Sequence, residues 1–297
     1  MIVLSESSDQ ISPSSSARDL AASTHAAQIA GCEVYYIPAD YSQCDDAEGA
    51  LWHVPHQATP QPAVWIGYIP SAERYRQIYE AARAKGIHLL NTPEQHRVAQ
   101  EFDGAYPFLQ ELTPKSVVIS SVEECAEAVR ALDLPIFVKG VVQSRKARGW
   151  KACVADSLEE LQRLTTVLLD LSNRSRGRVV LRRLVALRHS RRSAEEFPFG
   201  REYRCFVYRG EILGLGYYWE GDDPLKTLSV PEEKAVRDLA REAARRLPTS
   251  YVAIDIGQLE GGTWIVIETG DAQFSGVSQI PLLQLWHHLQ QISEVAV

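Results

Sequence analysis

Two carboxylates near the C-terminus, Asp255 and Glu268, carry the sharpest chemistry in this 297-residue chain. They lie in two apolar, β-rich runs, Tyr251 to Leu259 and Thr263 to Thr269, joined through Gly261-Gly262. Gly-Gly is a strong two-residue hairpin signal. If Glu260 pairs with Thr263 across that turn, Asp255 falls directly opposite Glu268. Residues so placed have Cβ atoms about 4.5–5.5 Å apart, and like charges there are destabilising. Ile254, Ile256 and Ile267 flank the two acids, so the pair sits in apolar strands. Two hard carboxylates at that distance suit a divalent cation, Mg²⁺ shared with phosphates above all. Asp271 and Gln273, just past the strand, offer further oxygen ligands. The alternatives are a longer loop with another register, one protonated acid, or an arginine lying between the two.

Cations for a phosphate come from the middle of the chain. Lys139 ends the apolar run Pro135-Ile136-Phe137-Val138, precedes Gly140, and is followed by a basic loop from Ser144 to Gly149 that includes Lys146. A lysine there can bind phosphate as a point charge; a plain surface lysine at a strand end is the other reading. Glu202, Arg204, Phe206 and Tyr208 share a face by period two. Arg204 either pairs with Glu202 at the surface or points at the same anion as Lys139. Between Lys139 and Arg209 there are 17 Lys/Arg against 7 Asp/Glu, inside a chain of net charge -7. A basic middle in an acidic protein points to a local anion site, not a general polyanion binder. Its alternative is a solvated face with a mobile arginine loop, Arg188 to Arg192. No Walker A sequence, no Gly-x-Gly-x-x-Gly after a strand and no protein-kinase signature occurs.

The elements that must position these residues read as β-α-β in the first hundred positions. Strands are predicted at 2–4, 34–37, 63–68 and 87–90, and helices at 17–30 and 71–85. A serine-rich turn (Ser12, Ser14, Ser15, Ser16) follows the first strand. This order argues for a parallel sheet with helices packed on it. Thr92-Pro93 starts another helix, and a Gly/Pro-punctuated linker runs from Gly104 to Pro114. A compact module of strands and helices fills 116–185. A first hairpin (202–218), a helix (231–247) and the carboxylate hairpin complete the chain. The five cysteines are scattered and read as reduced core thiols in a cytoplasmic protein. The sequence contains no apolar run of membrane-spanning length.

In this order the features resemble the ATP-grasp superfamily, the fold of carboxylate–amine ligases related to glutathione synthetase and D-alanine–D-alanine ligase. The matching segments are Leu134 to Gly140, Val179 to Val185, Glu202 to Val207 and Trp264 to Asp271. The resemblance implies an α/β (α+β) ATP-grasp fold in three parts. An N-terminal βα pre-ATP-grasp domain would span 1–110, a central small α+β subdomain 111–186, and a C-terminal antiparallel-sheet subdomain 187–297. It further implies Lys139 on ATP phosphates, the loop from Ser144 through Lys146 to Trp150 as a flap, and Arg182, Arg183, Leu184 and Val185 as the hinge that reads adenine. Arg204 would lie near the γ-phosphate and the acyl phosphate, and Asp255 and Glu268 would hold Mg²⁺. Two positions depart from the pattern. Gly270 stands where the family usually has an asparagine ligand, so Asp271 would take over, and Arg182-Arg183 replace the usual acidic or amide residue of the hinge. Arg97 lies on the helix that often carries another phosphate-binding lysine. The implied activity is ATP-dependent ligation of a carboxylate to an amine or other nucleophile, with ADP released. The alternative is an ATP-binding assembly factor or chaperone that clamps a protein partner without ligating it. A nucleic-acid ligase is disfavoured because Lys139 is followed by Gly140-Val141-Val142, not by x-Asp-Gly, and overall acidity opposes nonspecific nucleic-acid binding.

Overall fold

The computed structural model describes residues 1–7 and 14–292, so Ser12 of the predicted turn lies outside the described residues. The N-terminal layer comprises β1 (Ile2–Ser5), α1 (Ser15–Ile29), β2 (Glu33–Tyr36), α2 (Ala47–Ala50), β3 (Gln61–Ile66), α3 (Ala72–Ala84) and β4 (Ile87–Leu89). Its strands form one parallel sheet in the order β2-β1-β3-β4. Strands β1 and β3 read as unbroken apolar runs because both faces are covered. Val3 and Val64 pack toward α1 and the C-terminal half, whereas Leu4 and Trp65 pack toward α3. Ser14 and Ser71 start the two helices by accepting the backbone N–H of Ala17 and Arg74, satisfying amides that the first turn leaves unpaired.

Helix α4 (Pro93–Gln100) opens on a capping box between Thr92 and Gln95, with Pro93 at its first position. The stretch expected as a linker is largely helical instead, with Phe102–Leu109 forming α5 around an internal Pro107. Phe102, Ala105 and Leu109 are buried at helical spacing, and that apolar stripe outweighs the backbone hydrogen bond Pro107 forfeits.

The central module contains β5 (Ser116–Ile119), α6 (Cys125–Leu132), β6 (Ile136–Gly140), β7 (Val154–Ala155), α7 (Leu158–Asp170), α8 (Ser172–Ser175) and β8 (Val179–Arg183). The sheet is antiparallel, in the order β5-β8-β6-β7. Helices α6 and α7 bury Leu132, Leu161 and Leu164 against Ile136, Val138 and Leu181. Alternation then sends Phe137, Lys139 and Arg182 to the other face, where Phe137 and Arg182 are cross-strand partners. Gly140 closes β6 against the backbone of α8. A Cβ there would land on the Arg174 carbonyl, with the Ser175 Cα at 3.0 Å. Gly140→Ala should therefore cost about 1–3 kcal/mol, as overpacking does, because backbone cannot rotate aside. Urea unfolding would show this, and a loss below about 0.5 kcal/mol, the range of ordinary surface substitutions, would contradict the packing.

The arginine-rich segment forms β9 (His189–Arg192), paired antiparallel with β10 (Pro198–Gly200). The C-terminal part follows with β11 (Glu202–Tyr208), β12 (Glu211–Tyr217), α9 (Val230–Arg246), β13 (Tyr251–Gln258), β14 (Trp264–Asp271) and α10 (Leu282–Gln290). Its antiparallel sheet has the order β12-β11-β13-β14. Helix α9 covers the face bearing Tyr203, Cys205, Val207 and Ile254. The opposite face, with Phe206, Tyr208, Tyr251 and Ala253, packs on the N-terminal layer and α10.

The carboxylate hairpin reaches the expected pairing by an unexpected path. Its turn is one residue longer than Gly-Gly alone predicts. Leu259 opposes Thr263, joined by Leu259 N–H to Thr263 O at 2.8 Å, and Gly262 takes φ +90°, the left-handed geometry of a three-residue loop. From there Ile256 pairs with Val266, one register off the prediction. A β-bulge at Ile267 then restores it, so Asp255 does pair with Glu268. All five cysteines are free, four of them buried. Among the described residues no helix is long and apolar enough to cross a membrane.

Candidate active site

The inner faces of the central and C-terminal sheets enclose a cavity of about 420 Å³. Its lining combines apolar side chains, among them Phe137, Trp150, Leu184, Phe197 and Ile267, with charged ones, among them Lys139, Lys146, Arg182, Glu202 and Glu268. Most of the residues predicted for the nucleotide are brought to this wall: Lys139, Ser144, Lys146, Arg182, Arg183, Leu184 and Val185 all line it. The chain leaves β8 at Leu184 and rejoins a ladder at Leu187, which bridges to Leu259, so 184–186 run across the cavity's back. His189 and Arg192 of β9 reach the wall too. Nearby, Trp150 donates its backbone N–H to Glu195 O at 3.2 Å, which ties the basic loop to the tip between β9 and β10.

Glu268 is ion-paired with Lys139, whose side chain is only 2% exposed. Burial lowers the Lys139 pKa, and the Glu268 carboxylate works against that drop. Burial also opposes ionisation of Glu268, but Lys139, Lys146 and Arg182 outweigh it and hold its pKa below the ordinary value. Lys146 reaches the Tyr218 hydroxyl at 2.6 Å and lies 4.1 Å over the Tyr218 ring. Arg182 stacks 4.2 Å from the Phe102 ring centre and donates through Nη1 to Ile267 O at 2.6 Å. Burial pulls its pKa down to about 10. Its Nη2 is buried with no hydrogen-bond partner among the described residues, an unmet donor beside a cavity sized for a ligand.

Arg204 clamps Asp255 in a two-toothed pair, Nε to Oδ1 and Nη2 to Oδ2, each at 2.7 Å. Arg204 does not lie between the two acids: it reaches Asp255 from β11, on the side of β13 away from Glu268. Asp271 is elsewhere. It is fully buried on the α4 side of β14, where His96 Nδ1 lies 2.8 Å from its Oδ2 and Gln273 N–H donates to its Oδ1. Thr269 and Asp271 face α4 while Glu268 faces the cavity, so Asp271 does not join Asp255 and Glu268. Arg97 is also outside the cluster, half exposed and engaged with Glu101 and Asp103.

Glu202 completes the charged lining. Burial pushes its pKa up to about 7, with Asp255 and Glu268 adding to the rise against the pull of Lys146. Glu6, buried under β3, is likewise pushed up to about 7 by burial. A carboxyl whose folded pKa exceeds its ordinary 4.5 binds protons that the unfolded chain has released. Stability should therefore fall as pH rises from about 4.5 through 7, and Glu202→Gln should flatten its share of that slope. Urea midpoints at acid and mildly alkaline pH would show the difference. Equal slopes in parent and variant would mean that Glu202 is ionised throughout.

With this geometry, the chain matches a family described as an ATP-grasp domain, the third family of its clade, over residues 131–289, more than half its length. The protein belongs to the ATP-grasp superfamily. Solved ATP-grasp structures share the fold at low identity. A RimK-domain ATP-grasp protein of Sphaerobacter thermophilus superposes with TM-score 0.63 at 12% identity, covering 98% of each chain. D-alanine–D-alanine ligase of Bacillus anthracis, in complex with ATP, gives TM-score 0.62 at 13% identity over 94% of this chain and 87% of that one. D-cycloserine synthetase DcsG gives 0.61 at 14%, over 97% and 98%. No curated protein matches the chain.

The ATP-grasp family's Mg²⁺ can be tested against the donors present. Among the described residues no three His, Cys, Asp or Glu side chains converge on one point. Mg²⁺ commonly takes only one or two carboxylates and completes its shell with phosphate oxygens and water. Glu268, which lines the cavity, and its cross-strand partner Asp255 suit that mode. Sequence reasoning placed Glu202 on the correct face without assigning it to the site. It missed the aromatic wall of Trp150, Phe197 and Trp219 altogether, since those residues come from three separate segments with no common spacing.

Proposed function

We propose that this ATP-grasp protein is an ATP-dependent ligase that joins a carboxylate to an amine, or another nucleophile, through an acyl phosphate. The observation that carries the reading is one cavity lined both by apolar and aromatic side chains and by a cluster of lysines and carboxylates, with the adjacent residues Ile267 and Glu268 both on its wall. A purine fits between Phe137, Leu184 and Ile267, with the phosphates toward Lys139 and Lys146. The substrate carboxylate oxygen bonds to the γ-phosphorus as the bond to ADP breaks. The amine nitrogen then bonds to the acyl carbon, phosphate leaves with the C–O bond pair, and the amine's proton passes to solvent. Such a transition state needs positioning and positive charge more than a protein nucleophile. Lys139, Lys146 and Arg182 supply that charge, and Arg204 keeps Asp255 oriented. Mg²⁺ held by Asp255 and Glu268 would neutralise charge on the phosphates.

The test is an ADP-release screen with Mg-ATP over amino acids, peptides and small acids, with products weighed by mass spectrometry. ADP together with a condensed product is expected. AMP would replace the acyl phosphate with an adenylate. Tight ATP binding without nucleotide turnover across the screen would favour the clamp that holds a protein partner.

A further inference from the structure

We propose that His96 is a positioning residue for this site, acting through Asp271 to fix the stretch of β14 that carries Glu268. The inference rests on the ligase reading and adds to it a residue outside the nucleotide cavity. Strand β14 is the edge of its sheet and, among the described strands, pairs with β13 alone. The bulge at Ile267 interrupts that pairing immediately before Glu268, and a bulge disrupts the ladder and bends the strand. Glu268 to Asp271 therefore have one regular neighbour, and their open side has to be held by something other than a strand.

Helix α4 does this from positions 96, 99 and 100, which share one helical face. Thr269 Oγ1 donates to Ala99 O at 3.1 Å, the Asp271 N–H donates to Gln100 Oε1 at 3.3 Å, and His96 Nδ1 lies 2.8 Å from Asp271 Oδ2. The third tie differs from the others because Asp271 has no exposed surface and His96 is only 3% exposed. A carboxylate so buried stays where its donors are, and losing one leaves it short of a partner that water cannot replace. Its other donor among the described residues is Gln273, through the backbone N–H at 3.0 Å and Nε2 at 3.3 Å. His96 is itself locked, parallel to the Tyr75 ring at 4.0 Å and edge-on to Phe274 at 5.3 Å. At the start of the same segment, Asn91 accepts the Tyr251 N–H at 2.9 Å and donates to Tyr251 O at 2.7 Å. Residues 91–100 thus grip β13 four positions before Asp255 and β14 three positions after Glu268. The two carboxylates are aimed from outside the cavity, and partners of this kind tune metal ligands without touching the ion.

The experiment follows ADP release by the full chain against Mg²⁺ concentration in the parent, His96→Phe, His96→Asn and Asp271→Asn. Two further measurements need no turnover: Mn²⁺ binding in the presence of ATP, read by paramagnetic resonance, and ATP binding in EDTA, read by calorimetry. His96→Phe keeps the stack on Tyr75 and removes the nitrogen. Its kcat should fall, and the Mg²⁺ concentration for half-maximal turnover should rise, each by about tenfold, the lower end of what losing such a partner costs. Mn²⁺ affinity should weaken by the same factor, while ATP affinity in EDTA stays within about twofold, as for independent sites. His96→Asn keeps an N–H donor and should recover most of the loss. Asp271→Asn breaks the same tie from the other side, should shift the metal dependence alike, and carries the comparison if His96→Phe does not fold. Ser71→Ala removes the α3 cap and lowers stability without touching Asp271, so its metal dependence should match the parent. A lower melting temperature with unchanged kcat and Mn²⁺ affinity in the His96 and Asp271 variants would overturn the proposal, since packing alone would explain it. So would His96→Asn as impaired as His96→Phe, or an equal loss of ATP affinity in EDTA. A parent that releases no ADP across the acceptor screen would sink the ligase reading, and Mn²⁺ affinity would still decide the role of His96.

Discussion

Glu268→Gln should abolish ligase turnover, with ADP release falling by at least about 10³-fold, while the protein stays folded. The carboxylate meets Lys139, Lys146 and Arg182, and in the proposed reaction it also holds the ion that rides on the phosphates. Losing one preorganised charge contact in such a site costs about 10²–10³ in rate, and losing the metal with it adds to that. The amide keeps a hydrogen-bond acceptor for Lys139, so the lysine is not left bare. Removing one partner of a fully buried ion pair costs about 3–5 kcal/mol. Here the Glu268 side chain is 23% exposed, water reaches it, and the melting temperature should move little. The decisive measurement is the Mg²⁺ dependence of ADP release beside a thermal melt. Turnover within tenfold of the parent, still dependent on Mg²⁺, would remove Glu268 from the metal assignment.

Lys139→Met should weaken Mg-ATP binding by about 10–100-fold and cut turnover by about 10²-fold. Methionine fills the lysine's volume beside Phe102, whose ring centre lies 5.5 Å from Lys139 Nζ, and it removes the charge alone. Glu268 and Glu202 then face the cavity with less positive charge beside them. Their repulsion of a triphosphate grows accordingly, and acid pH should partly restore affinity by neutralising Glu202, whose pKa is pushed up to about 7 by burial. Calorimetry across pH 6 to 8 (roughly a unit either side of neutrality, where carboxyls raised by burial titrate) would resolve both effects. Unchanged affinity would move the phosphates away from Lys139, toward Lys146 and Arg182.

Much of this site was legible because period two is a strict rule. Alternation placed Glu202 and Arg204 on one face, and hairpin logic placed Asp255 opposite Glu268. That second success contains two deviations of opposite sign, a longer turn and a bulge, neither of which a glycine pair announces. Asp271 was misplaced because β14 continues through it: three positions past Glu268, ordinary alternation turns its side chain to α4, where His96 meets it. Helix α5 was missed because Gly104 and Pro107 speak locally, whereas the burial of Phe102, Ala105 and Leu109 is settled by distant partners. The arginines at 188–192 read as a loop because their pairing strand contains Pro198 and the segment between is polar. The aromatic wall had no signature, since Trp150, Phe197 and Trp219 meet only after three segments fold together.

The extra residue at Ile267 has a consequence for how this chain tolerates insertions and deletions. In an ordinary strand, losing one codon inverts every side chain beyond it. In β14 the bulge makes Ile267 and Glu268 consecutive residues of the same wall. Loss of Ile267 alone would therefore leave Glu268, Thr269 and Asp271 facing as they do now and would erase only the greasy surface beside the carboxylate. The strand holds a spare position at the boundary between its two duties, so the apolar surface proposed for the base can be rewritten in length as well as in type while the acid behind it keeps its aim.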